Sequence, residues 1–284
     1  MREFPLIIFT VATQLACGLT MAATLFEMKG RPADAALMRP LGLAIFPLLV
    51  MGALVSMFHL GRPLLAWRSV VNLAQSRLSL EILATAVFVL LALAYSGFWW
   101  TGRADGRWIL GVATSLAGLA AVLAASLPYM VPMQPAWNSG WLPASFLGTA
   151  LLLGGLAPAV LISWKGNNGL LRIFLGATVA GSLLLLLSAA WMIVNLLRTG
   201  DPFAASRFGG MLHVLLSRQA IWLGCYIALA GLLPSVVAIR LWPEEGATDV
   251  AITPAATAVF VVVLFGAAAG RAVMYWLGAG FEPF

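Results

Sequence analysis

Residues 79–100 read SLEILATAVFVLLALAYSGFWW, with one charged residue, Glu81, near the start and two tryptophans at the end. A helix needs about 20 mostly apolar residues to cross the hydrocarbon core of a bilayer, and this stretch is long enough. Its apolar residues do not alternate with polar ones as they do in the strands of a membrane barrel. The stretch therefore predicts a transmembrane helix whose tryptophan rings lie at the headgroup layer.

Seven further stretches have the same length and character, so the chain is predicted to be an all-α integral membrane bundle of eight spans in a single domain, 1–284. They cover roughly residues 4–26, 41–60, 108–131, 141–164, 170–197, 214–240 and 254–280. An even number of spans places both termini on one side of the membrane, here called face A, with face B opposite. In the last span, Gly266 and Gly270 form a small-residue surface that favours close helix packing.

The composition excludes a soluble globular protein, because 62% of the 284 residues are apolar and only 9% are charged. The 16 basic residues outnumber the 10 acidic ones, but they occur singly between apolar runs, which disfavours nucleic-acid binding. They divide evenly between the two faces, so the positive-inside rule alone gives no orientation. Cys17 and Cys225 lie far apart in apolar runs, and this spacing predicts no metal site.

The two histidines of the protein, His59 and His213, test the possibility of a haem. A haem with two histidine ligands would need both of them in one enclosed pocket. His213 falls at a junction between a loop and a helix, where a solvated histidine is more common. We therefore expect no haem in this chain.

The residues with the clearest chemical character lie where span two ends and span three begins. Residues 56–63 read SMFHLGRP, and Glu81 follows at the start of the next span. Ionisable groups at the edge of a bilayer are costly and often mark function, and a histidine beside a carboxylate can accept a proton and pass it on. Alternatively, His59 simply lies at the interface, Ser79 is the N-cap of span three, and Glu81 faces the positive end of that helix.

At these residues the sequence resembles the membrane anchor subunit of dimethyl sulfoxide reductase. The element His-Leu-Gly-x-Pro followed by the glutamate is specific in combination, and the similarity extends over most of the sequence. The matching stretches are 3–10 (EFPLIIFT), 56–63, 66–68 (AWR), 79–82 (SLEI), Tyr129, Pro135, Trp137, 217–218 (SR) and 270–275 (GRAVMY).

This resemblance implies a subunit of an anaerobic respiratory enzyme in the bacterial inner membrane. A molybdopterin subunit would act on the terminal substrate, and an iron–sulfur subunit with four clusters would dock on the anchor. The anchor would oxidise menaquinol and pass its electrons to the nearest cluster, with no haem or metal of its own. In the family, face A is periplasmic.

The resemblance also implies roles for particular residues. His59 and Glu81 would take part in quinol oxidation, and Gly61, Arg62 and Tyr129 would complete the quinol site. Four further arginines would dock a partner subunit or stabilise an anion: Arg68, Arg77, Arg218 and Arg271.

Two other functions stay open at this point. Related anchors serve sulfite, tetrathionate or polysulfide enzymes, and some of these pass electrons toward quinone. A small-molecule transporter is the alternative of another class, with Gln14, Pro158 and Asn195 as possible signs within the spans. The lack of an internal repeat and of acids near span centres weighs against transport.

Overall fold

The computed structural model describes residues 3–29, 35–59, 76–132, 137–162, 168–198, 219–243 and 254–279. Within these ranges the protein is almost entirely helical, contains no strand, and has eight helices long and apolar enough to cross a membrane. The predicted all-α, multi-span fold is therefore confirmed. The single-domain organisation and the membrane side of the termini stay predictions.

The helices follow one another in the predicted order. They are α1 (Phe4–Lys29), α2 (Ala35–Ser56) with the 3-10 turn Met57–His59, α3 (Arg77–Thr101), α4 (Arg107–Ala124) followed by the 3-10 turn Leu127–Tyr129, α5 (Trp141–Ile162), α6 (Asn168–Arg198), α7 (Gln219–Cys225), the π-helical turn Tyr226–Leu232, α8 (Leu233–Arg240) and α9 (Pro254–Ala279). The α7 helix, the π-helical turn and α8 together form the seventh span.

The largest difference from a predicted helix start is at α2, which begins at Ala35 instead of residue 41. The sequence favours the later start because Arg39 and Pro40 interrupt the apolar run. In the structure the helix continues through Pro40 and Pro47, and Nη2 of Arg39 donates a 3.0 Å hydrogen bond to the Trp100 carbonyl at the end of α3. This contact holds the first turns of α2 against α3.

The α1 helix lies at the centre of the bundle and packs against α2, α4, α5 and α9. It crosses α5 closely because Gly18 faces Gly154, and a Cβ atom at Gly18 would lie 2.7 Å from the Gly154 Cα. Such close backbone approach is typical of small residues at membrane helix interfaces. About one turn toward face A, Gln14 of α1 and Thr149 of α5 consequently lie within reach of one neighbouring side chain.

The predicted packing role of Gly266 and Gly270 is confirmed. A Cβ atom at Gly266 would lie 2.7 Å from the Leu229 Cβ, and one at Gly270 would lie 2.5 Å from the Tyr226 ring. These contacts bring α9 against the π-helical turn of the seventh span. A π-helical turn widens the helix locally, and such turns are frequent at functional sites.

At face B, a buried ion pair joins the end of α1 to the start of α4. The Arg107 guanidinium donates to the Glu27 carboxylate, and the two side chains are 10% and 8% exposed. The guanidinium also lies 3.8 Å from the centre of the Trp99 ring. Trp99 is therefore buried inside the bundle, contrary to the predicted headgroup position, whereas Trp100 is exposed as expected.

Candidate functional site

Three segments predicted to carry site residues meet at the face A end of the bundle. Glu81 is four residues from the start of α3, and Tyr275 is four residues from the end of α9. With a rise of 1.5 Å per residue, each lies about 6 Å inside its helix end. The 3-10 turn that carries Tyr129 packs against α3. The fold thus brings two distant parts of the sequence to Glu81.

Glu81 is buried, with 8% of its surface exposed, and no hydrogen bond from the described residues reaches its carboxylate. One turn further along α3, Thr85 has a buried hydroxyl without a partner among the described residues. The α3 helix is capped by Ser76, whose Oγ accepts a 3.2 Å hydrogen bond from the Ser79 backbone N–H. The expectation that Ser79 is the N-cap is therefore wrong, and Glu81 is not needed to cap the helix.

Tyr129 and Tyr275 form a hydrogen-bonded pair beside Glu81. Their hydroxyl oxygens are 3.0 Å apart, and their rings meet edge to face with centroids 5.6 Å apart. The Trp137 ring packs edge to face on the other side of Tyr129 at 5.1 Å, and its Nε1 donates a 2.8 Å hydrogen bond to the Met274 carbonyl. Glu81 lies within electrostatic range of both tyrosine hydroxyls.

Arg77 ties the start of α3 to the segment that carries Tyr129. Its guanidinium donates to the Leu127 carbonyl at 3.4 Å and to the Met130 carbonyl. Because these carbonyls lie in and just beyond the last turn before a loop, the arginine satisfies acceptors that a helix end leaves unpaired. This contact positions the turn of Tyr129. Its predicted docking or anion-stabilising role stays a prediction.

His59 ends the 3-10 turn that continues α2, and its side chain is exposed. The Nδ1 atom forms a hydrogen bond with the Ser56 carbonyl. Because a carbonyl only accepts, Nδ1 donates, and Nε2 of the neutral ring is left as a proton acceptor. Among the described residues, the structure shows no direct contact between His59 and Glu81.

Arg271 lies deeper in the bundle, one turn of α9 below Tyr275, and is only 3% exposed. Its guanidinium stacks 3.9 Å from the Phe146 ring centre and donates to three side-chain oxygens on α1 and α5, those of Gln14 (3.0 Å), Ser145 (3.1 Å) and Thr149 (3.0 Å). Docking a partner requires an exposed side chain. This burial removes the docking role expected for Arg271 and leaves anion stabilisation as the prediction.

Some predicted site residues cannot be placed, because they lie outside the described ranges: Gly61, Arg62, Arg68 and Arg218. The same holds for His213. Within the part of the protein that the structure describes, no group of three or more His, Cys, Asp or Glu side chains comes together as a metal site.

Sequence reasoning assigns no site role to Tyr275 or to Trp137. The four-residue spacing of Arg271 and Tyr275 places both on one face of α9, which is a signal that the sequence offers. Trp137 gives no comparable signal, because a tryptophan at a span end is equally typical of the headgroup layer. Gln14 stands out in the sequence as a polar residue within span one, but its partner could not be predicted.

The surroundings of Glu81 suit an apolar molecule with a polar end. On α3, Leu78, Leu80 and Leu83 lie within three residues of Glu81 and are 48%, 43% and 37% exposed. At the end of α2, Phe58 is 84% exposed next to His59. A lipid-soluble donor could approach over such apolar surface and meet a carboxylate and two phenol hydroxyls. Two proton acceptors of different chemistry, a carboxylate and an imidazole, are thus available at one end of the bundle.

Comparison with known proteins gives a consistent result. A family model for the DMSO reductase anchor subunit (DmsC) matches residues 1–277. The protein is 31% identical over 174 residues to the YnfH subunit of anaerobic dimethyl sulfoxide reductase from Escherichia coli (strain K12), covering 57% of this sequence and 58% of that protein. It is 30% identical over 161 residues to the C subunit of anaerobic dimethyl sulfoxide reductase from Haemophilus influenzae, covering 54% and 56% of the two sequences.

The match thus spans a little over half the length of these two relatives. A third relative is matched over nearly its whole length. The protein is 27% identical over 289 residues to the C subunit of anaerobic dimethyl sulfoxide reductase from Escherichia coli (strain K12), and this covers 97% of this sequence and 95% of the relative.

Proposed function

Because the chain belongs to the family of DMSO reductase anchor subunits, we propose that it oxidises menaquinol at face A and passes the electrons to an iron–sulfur partner. Membership of this family and the eight spans make the protein a multi-pass membrane anchor of a DMSO reductase-type complex. The quinol, the direction of electron flow and the partner subunits are parts of the proposal. The complex would lie in the inner membrane of a bacterium.

The observation that carries the proposal is a buried carboxylate at a helix end, beside two phenol hydroxyls and close to lipid-facing apolar residues. Placing an ionisable group within a membrane span costs free energy, and such residues often mark functional sites. When bound, menaquinol supplies two electrons and two protons. The Glu81 carboxylate can accept one proton, and Nε2 of His59 can accept another and release it to water at the exposed rim.

The proposal also includes the orientation that the family resemblance implies, with face A periplasmic and face B in the cytoplasm. The basic residues divide evenly between the two faces, so the positive-inside rule does not decide this point. Protons taken up at Glu81 and His59 would therefore be released on the periplasmic side.

The partner subunits in this proposal follow from the family of the chain, because an anchor subunit of DMSO reductase implies association with catalytic and iron–sulfur subunits. An iron–sulfur subunit would receive the electrons, and a molybdopterin subunit would reduce the terminal acceptor. The dimethyl sulfoxide reductase names of the relatives favour a dimethyl sulfoxide-type acceptor over sulfite, tetrathionate or polysulfide. The family match also favours an anchor over a small-molecule transporter.

The test compares two electron donors on the complete complex reconstituted in liposomes. Menaquinol must enter through the anchor, whereas a reduced viologen dye feeds the partner subunits directly. We expect Glu81→Gln to lower menaquinol-dependent turnover at least tenfold and to leave viologen-dependent turnover unchanged. The matched control is Asp105→Asn, which removes an exposed acid at face B and should affect neither activity.

If the wild-type complex turned over with viologen but not with menaquinol, the proposal that this anchor oxidises quinol would be wrong. If Glu81→Gln oxidised menaquinol at the wild-type rate, the carboxylate would have no part in the reaction.

A further inference from the structure

Two groups of opposite charge type act on the pair formed by Tyr129 and Tyr275. Arg271 lies one turn of α9 deeper than Tyr275, Glu81 lies on α3 at about the depth of Tyr275, and both interact electrostatically with the two hydroxyls. The distance of 3.0 Å between the hydroxyl oxygens does not by itself say which hydroxyl donates. The arrangement of charges around the pair decides this question.

An arginine keeps its positive charge, and charge acts strongly in a bundle interior from which water is excluded. The positive end of each O–H dipole therefore points away from Arg271. Tyr275, one helical turn from Arg271, then donates to Tyr129, and the Tyr129 hydrogen points away from Arg271 and from Tyr275. The charge of Arg271 alone sets this direction, so it holds when the Glu81 carboxyl is protonated.

Arg271 is suited to act as such a fixed charge. Gln14, Ser145 and Thr149 hold its guanidinium with neutral oxygen acceptors, and no carboxylate among the described residues neutralises it. A carboxylate partner would cancel most of its field at the tyrosines. Neutral acceptors fix the position of the charge and leave its field in place.

We propose that Arg271 and Tyr275 are positioning residues that turn the Tyr129 hydroxyl into a hydrogen-bond donor for a carbonyl oxygen of the quinone. This inference rests on the proposed function. A quinone has only acceptor oxygens, whereas a quinol hydroxyl can also donate. A fixed donor therefore stabilises the bound product more than the bound quinol and selects ligands that carry a carbonyl oxygen at this position.

The Tyr275→Phe variant tests the proposal, because it removes one hydroxyl and keeps the ring that packs against Tyr129. On the purified complex, we expect the Kd of a menaquinone analogue to rise about fivefold, the range of one neutral hydrogen bond. Infrared spectra of a carbonyl-labelled analogue should show the C=O stretch at higher frequency, as expected for a weaker hydrogen bond. Tyr129→Phe should give the same two changes, and the double variant should add little.

Two further variants act as controls. Tyr95→Phe removes another buried tyrosine hydroxyl, near the Glu27–Arg107 pair at face B, and should change neither Kd nor the C=O frequency. If Tyr275→Phe fails to assemble, 4-aminophenylalanine at position 275 keeps a donor and should retain the wild-type C=O frequency. Arg271→Gln should raise the Kd, and Arg271→Lys, which keeps the charge, should restore part of the affinity.

An unchanged Kd and C=O frequency in Tyr275→Phe, with both changed in Tyr129→Phe, would overturn the positioning role while the proposed function stands. Failure of the wild-type complex to bind the analogue or to oxidise menaquinol would instead overturn the proposed function.

Discussion

The Arg271 guanidinium in the last span donates a 3.0 Å hydrogen bond to the Gln14 carboxamide oxygen in the first span. Both side chains are buried, at 3% and 1% exposure, so this contact joins the first and last spans inside the bundle. It lies about one turn from the Gly18–Gly154 crossing, which holds α1 close to α5. The contact that joins the first and last spans thus also holds the internal charge.

Replacement of Gln14 by leucine should destabilise the fold. The change removes one acceptor of a buried guanidinium, and an unmet hydrogen bond of this kind costs about 1–3 kcal/mol. Thermal unfolding in detergent, followed by tryptophan fluorescence, should show a Tm several degrees lower. Gln14→Glu keeps an acceptor and should unfold at or above the wild-type temperature. Equal Tm values for Gln14→Leu and the wild type would show that Ser145 and Thr149 suffice to hold Arg271.

The close crossing of α1 and α5 predicts that Gly18 tolerates no side chain. A Cβ atom there would lie 2.7 Å from the Gly154 Cα, so Gly18→Ala must separate the helices, at a cost of about 1–3 kcal/mol. Gly97→Ala in α3 is the matched control, because a Cβ atom at Gly97 meets nothing within 4 Å. The yield of folded protein and its Tm should fall for the first variant and stay unchanged for the second.

Much of this architecture could be predicted from the sequence, because a membrane span needs a continuous apolar run whose length the bilayer fixes. The order of the eight spans and the packing role of Gly266 and Gly270 follow from that requirement. The start of α2 could not be predicted in this way. The helix includes Arg39 and Pro40, and the contact of Arg39 with α3 stabilises its first turns. The prediction for Trp99 is wrong for a related reason, because its position at a span end does not reveal that Arg107 covers its ring.

The site was predictable only in part. Glu81 could be recognised from the sequence alone, because an acidic residue within an apolar span is rare. The pairing of Tyr129 with Tyr275 depends on which helix ends meet, and that is decided by contacts between residues 146 positions apart. The capping of α3 by Ser76 instead of Ser79 similarly depends on local backbone geometry.

The ion pair between Glu27 and Arg107 should show strong coupling in a double-mutant cycle. Glu27→Gln or Arg107→Met alone leaves a buried charge without its partner, which costs about 3–5 kcal/mol. The double variant removes both charges and should recover a large part of this loss. Unfolding of the four proteins in one detergent gives the coupling energy. A coupling near zero would mean that the pair is effectively solvated at face B.

The pH dependence of menaquinol oxidation should change in Glu81→Gln. The carboxylate accepts a proton only when it is deprotonated, so the wild-type rate should fall as the pH drops through the ionisation of Glu81. Glutamine cannot titrate, so the rate of the slower variant should no longer decrease at low pH. Steady-state rates across the pH range of stability, with viologen-dependent turnover as the reference, provide the measurement. A variant with the full wild-type pH profile would assign the titration to another group.

His59→Arg should abolish menaquinol oxidation while the complex still assembles. The substitution keeps a long side chain that can donate to the Ser56 carbonyl, so the 3-10 turn at the end of α2 has no reason to unfold. A guanidinium has no acceptor lone pair, however, and cannot take the proton that Nε2 of the imidazole would accept. Assembly is checked by co-purification of the partner subunits and by viologen-dependent turnover, both expected at wild-type levels.

The His59→Gln variant separates the effect of charge from that of proton transfer, because glutamine is neutral and likewise unable to titrate. If His59→Gln retained activity and His59→Arg lost it, added positive charge at the rim would be the cause, and the imidazole would not be the proton acceptor.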